Sequence, residues 1–93
     1  MITKEKLAIY EQFSGDGDGW ARCGTPHEKA VMSDPDWYEI LDIVVRLHSV
    51  QTGRAAPEFV DETRRRISES IPDAEAVATL MRIAPRMYER QMA

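Results

Sequence analysis

Ninety-three residues, 43% hydrophobic and 30% charged, are enough for one domain with its own core and too apolar for the disordered class. A single cysteine excludes an internal disulfide, no charged-then-apolar secretory start is present, and no apolar run approaches the roughly 20 residues of a membrane-spanning helix. The expectation is one helical domain over residues 1–93, in the cytoplasm.

The formal charge of −4 is uneven. Residues 1–45 hold nine acids against four bases, whereas residues 46–93 hold eight arginines against seven acids. Nucleic-acid binders present a basic face. An acidic half suits a basic protein partner through steering and charge complementarity, or merely keeps a small protein in solution.

Residues 3–13 predict a first amphipathic helix, capped by Thr3, with Leu7, Tyr10 and Phe13 on one side behind Ile2, and Ile9 at the edge of that side. The alternating glycines of Ser14-Gly15-Asp16-Gly17-Asp18-Gly19 then end the helix and invite a turn. A calcium loop fails there in both registers. Starting at Ser14 puts Thr25 where a bidentate Glu is required, and starting at Asp16 puts His27 there and loses the glycine at position six. Two readings remain. The aspartates shape a tight inter-helix turn and Trp20 folds back to plug the bundle end, or Asp16, Asp18, Trp20 and Arg22 form a recognition loop, since Trp and Arg are enriched at interface anchors.

Thr25-Pro26-His27-Glu28 is a capping box that predicts a short second helix to about Ser33. Cys23 and His27 lack the further ligands a zinc site needs, so neither a metal nor a nucleophile is expected.

The most apolar stretch runs from about residue 35 to 52. Ser33 or Asp34 can cap it, Pro35 opens it and Gly53 is placed to close it. Turned at about 100° per residue, Trp37, Ile40, Leu41, Val44, Val45, Leu47 and His48 cover over half its circumference, and Ile43 and Val50 widen the arc. Glu39, Asp42, Arg46 and Ser49 form the narrow polar stripe. This predicts the central helix of a compact all-α bundle of about five helices, with His48 in the core on a backbone carbonyl or hydroxyl.

Pro57 starts a fourth helix with Phe59, Val60, Thr63, Ile67 and Ile71 on one face. Its Arg64-Arg65-Arg66 run is expected to be neutralised along the helix by Asp61, Glu62 and Glu69 at spacings of four. Asp73 can cap a fifth, in which Val77, Leu80, Met81, Ala84 and Tyr88 form the face and Ile83 and Met87 its edges. Pro85 either kinks it or begins a last short helix. No strand-like alternation, repeat or low-complexity segment occurs.

No catalytic constellation converges, so an enzyme is not expected, nor any cofactor. A helix-turn-helix regulator needs a recognition helix with unmatched polar and basic residues, and the chain has no Asn at all. A self-associating structural protein also fits. A protein-binding module fits best.

The order Tyr10-x-x-Phe13-x-Gly15-Asp16-x-Asp18-Gly19-Trp20-x-Arg22, then Asp36-Trp37 opening an apolar helix, Gly53 closing it and Pro57-Glu58-Phe59 starting the next, resembles small helical bacterial immunity proteins of contact-dependent inhibition and other polymorphic toxin systems. That resemblance implies a cytoplasmic protein that binds and blocks a cognate toxin domain, often a basic nuclease, through acidic groups and a few aromatic anchors. The contact residues it implies are Asp16, Asp18, Trp20, Arg22, Asp34, Asp36, Glu39 and Asp42, with Trp37 in the core instead.

Overall fold

The Thr3 hydroxyl accepts from the Lys6 amide at 3.2 Å and opens helix α1, Lys4–Gly15, as an N-cap should. The structure is a computed structural model that describes residues 2–15, 30–31 and 33–92. Three further helices follow among these residues: α2, Pro35–Gln51; α3, Pro57–Ser70; and α4, Ala74–Met92. No strand is present among them. The fold is thus all-α, with four described helices in place of about five. The short helix expected from Thr25 lies almost wholly outside the described residues, although Ala30 and Val31 are helical and Val31 is buried.

Local chemistry sets each boundary. Asp34 accepts the Asp36 amide at 3.0 Å with Pro35 at the first helical position, so α2 starts as its residues dictate. Thr52 ends it, and Gly53 follows at φ 73°, the left-handed conformation that closes many helices. A Cβ at Gly53 would meet nothing within 4 Å, so Gly53→Ala adds no clash, only backbone strain. We expect this change to cost about 1 kcal/mol and to lower the melting temperature by about 4–8 °C, read by thermal denaturation; an unchanged midpoint would refute the strain argument. Pro57 opens α3, and the Asp73 carboxylate accepts the Glu75 amide at 3.2 Å to open α4. Helix α4 is continuous across Pro85, so no new helix begins there.

Ile2, Leu7, Tyr10 and Phe13 come into the core from α1 and the residues before it, and Trp37, Ile40, Ile43, Val44 and Leu47 from α2. Ile67 and Ile71 join them from α3 and its end, and Ala76, Leu80, Ile83, Ala84 and Met87 from α4. Trp37 is fully buried between Tyr10, ring centroids 5.4 Å apart, and Phe13, 5.1 Å away and edge-on. Helix α4 packs on both α1 and α2, and α2 on both α3 and α4, so the centre is the α2–α4 pair and not α2 alone. The amide of Ile2 donates to the Ser70 carbonyl at 3.1 Å, tying the start of the described chain to the end of α3.

Several face assignments change. On α2, Ile43 is fully buried while Val45 is 48% exposed, because the core lies towards the Trp37–Ile40–Leu47 side of a broad apolar arc. His48 is half-buried and stacks on the Tyr88 ring at 3.7 Å and 3°, outside the core. On α4, Ile83 and Met87 are central and Met81 is exposed, because α1 and α2 both approach from the Ile83 side.

Candidate protein-interaction surface

The polar stripe of α2 faces α3, not open solvent. Arg66 of α3 grips Glu39 with two nitrogens, Nε to Oε1 at 3.3 Å and Nη2 to Oε2 at 3.5 Å, and places Nη1 2.6 Å from Asp42 Oδ2. Arg46 binds the same Asp42 oxygen through Nε at 3.1 Å and reaches Glu62 on α3 at 3.8 Å. The guanidinium of Arg46 also lies 5.2 Å from the centre of the Phe59 ring, and Ser70 donates to Glu39 at 3.3 Å. This overturns the expected neutralisation along α3: Glu62 and Arg66, spaced four apart, turn instead to opposite charges on α2. Arginine suits such a seam because its planar fork holds two carboxylates at once.

A second acidic cluster sits where α1 meets the start of α2. The Tyr10 hydroxyl donates to Asp34 Oδ2 at 2.8 Å, and Lys6 Nζ lies 3.3 Å from that oxygen and 2.6 Å from Asp36 Oδ2. The Tyr10 hydrogen bond, joined by the Asp36 amide and the Lys6 ammonium, holds the Asp34 carboxyl below its ordinary value against the opposing effect of burial. Burial first, and the adjacent Asp34 carboxylate second, push the Tyr10 phenol well above its ordinary range. The hydrogen bond to Asp36 raises the Lys6 ammonium.

Of the eight expected contact residues, Asp34, Asp36, Glu39 and Asp42 are thus each paired within the fold. Asp16, Asp18, Trp20 and Arg22 lie outside the described residues, as do the glycine turn after Gly15, Cys23 and His27. Pairing leaves an excess of acid in both clusters. Glu39, Asp42 and Glu62 face two guanidiniums, and Asp34 and Asp36 face one ammonium.

The pattern missed in the sequence is an apolar stripe beside these acids. Tyr38 and Val45 are 53% and 48% exposed, and Leu41 between them is half-buried. These positions, i, i+3 and i+7, share one helical face. Leu41, Val44 and Val45 also line a small hollow of about 190 Å³ with Tyr88 and Gln91 of α4. Tyr38 is one helical turn from both Asp34 and Asp42. The signal was present in the sequence as an apolar arc too wide for one core contact.

Among the described residues no group of three or more His, Cys, Asp or Glu is placed to hold a metal ion, and no helix is long and apolar enough to cross a membrane. The chain matches no protein-family model, no curated protein and no solved structure.

Proposed function

We propose that this chain acts by binding another protein, a basic toxin domain that it neutralises in the manner of an immunity protein. The observation that carries the binding role is the Tyr38–Leu41–Val45 stripe, an apolar face of α2 with two exposed members and the Asp34 and Asp42 carboxylates one helical turn from Tyr38. An exposed tyrosine with an apolar neighbour is typical of an interface anchor, and the acidic margin would steer a basic surface to it. The identity of the partner as a toxin rests on the resemblance of residues 10–59 and on the acidic N-terminal half. DNA binding has weaker support, because Arg46 and Arg66 are committed to carboxylates of α2 and α3.

The test is a tagged pull-down at low and then moderate salt, followed by co-expression of whatever single basic protein is recovered. That protein should be toxic alone and harmless with this chain. Tyr38→Ala and Val45→Ser should each weaken the complex about tenfold or more and change unfolding free energy by no more than about 0.5 kcal/mol. Undiminished binding by both variants would remove the stripe, and recovery of DNA would sink the proposal.

A further inference from the structure

Between α3 and α4 the bundle leaves an open apolar groove of about 430 Å³, distinct from the Tyr38 stripe. Its origin lies in the packing. Arg66 ties α3 to α2, while α4 packs on α1 and α2, so the two helices joined through Pro72 leave a trough between them. Ile67, Ile71 and Val77 line it, with Met81 exposed on the α4 side and Arg64 and Ser68 on the α3 side.

Among the described residues the one charged side chain lining this trough is a cation, although the chain as a whole is acidic. The chain's arginines divide here. Arg46 and Arg66 are held by carboxylates, whereas the Arg64 guanidinium is exposed and has no ion pair among the described residues. A guanidinium at the rim of an apolar trough is complementary to a carboxylate carried beside apolar side chains. Met81 adds an unbranched, adaptable wall that can fit differing apolar shapes. The groove is open along the surface, which suits a polymer segment better than an enclosed small molecule.

We infer that the α3–α4 groove receives an acidic amphipathic helical segment of a partner protein. Its apolar side chains would enter over Ile67, Ile71 and Val77, and an Asp or Glu one turn away would meet Arg64. This mode is a helix laid in a groove. It does not depend on the basic-toxin reading, since it uses a different surface and the opposite charge.

The test uses the full chain with methyl-labelled Ile and Met and two synthetic helical peptides. The peptides share paired leucines four apart and differ only in carrying Glu or Lys beside them. The Glu peptide should shift the Ile67, Ile71 and Met81 methyl signals and bind about threefold or more tightly than the Lys peptide. Arg64→Glu, an exposed substitution that leaves the circular dichroism unchanged, should reverse that preference. Equal binding of the two peptides, or a preference unmoved by Arg64→Glu, would overturn the proposal. So would shifts confined to the Ile40 and Ile43 methyls of α2, which would place the response outside this groove. Displacement of the Glu peptide by decanoate at lower concentration would make the occupant a small amphiphile. Concentration-dependent Met81 shifts without any peptide, with dimers in sedimentation, would make it a second copy of this chain. Either result would overturn the assignment of a partner segment.

Discussion

Trp37→Ala should cost about 3–5 kcal/mol of unfolding free energy, a large part of the roughly 5–15 kcal/mol available to a domain of this kind. The indole is fully buried, and its removal would leave Tyr10 and Phe13 facing a void where α1 meets α2. The loss therefore combines the transfer of a large aromatic with a cavity that two rigid rings cannot close. Trp37→Phe separates packing from polarity. The indole Nε1 is buried without a hydrogen-bond partner among the described residues, so replacing it strands no acceptor there. Phenylalanine should recover more than half of the lost stability in urea titrations. A loss below about 1.5 kcal/mol for the alanine variant would show that the α1–α2 junction can repack.

Asp34→Ala should cost about 2–4 kcal/mol, from the lost cap on α2 and the buried Tyr10 hydroxyl left without its acceptor. Asp34→Asn keeps one oxygen for the Asp36 amide but puts an NH2 donor where Oδ2 accepts the Tyr10 hydroxyl, and it loses the charge facing Lys6. It should therefore restore the capping part of the loss and leave the part that comes from the Tyr10 hydroxyl.

The pH dependence has a definite sign. The Asp34 carboxyl is depressed in the folded state, so its contribution is fully present above the unfolded value of about 3.9 and is lost as pH falls through the lower folded value. The gap between wild type and Asp34→Ala should narrow on acidification from pH 5 to pH 2. A constant gap would mean that the carboxylate's charge contributes nothing. At the other end, Tyr10 is raised in the folded state. Its contribution is intact below the unfolded phenol value of about 10 and declines as pH rises beyond it.

Where the helices begin could be read from the residues, as could the end of α2, whereas α1 continues past the expected Phe13 to Gly15. Thr3, Asp34, Pro35, Gly53, Pro57 and Asp73 act through bonds to amides within a few residues or through their own φ preference, so their effect needs no knowledge of the rest of the chain. The all-α class and the burial of Trp37 followed from the same local periodicity. Which side of each helix meets which neighbour was decided only by tertiary packing. The α2 arc was apolar over more than half its turn, so periodicity could not say that Ile43 lies inside and Val45 outside. Nor could spacing show that Arg66 would leave Glu62 on its own helix for Glu39 and Asp42 on α2. A partner four residues away is always within reach, but a fork that meets two carboxylates across a helix seam is better satisfied. That contact exists only once α3 lies against α2. The same packing turned four expected contact acids into structural pairs, and it left Tyr38, Val45 and Arg64 exposed.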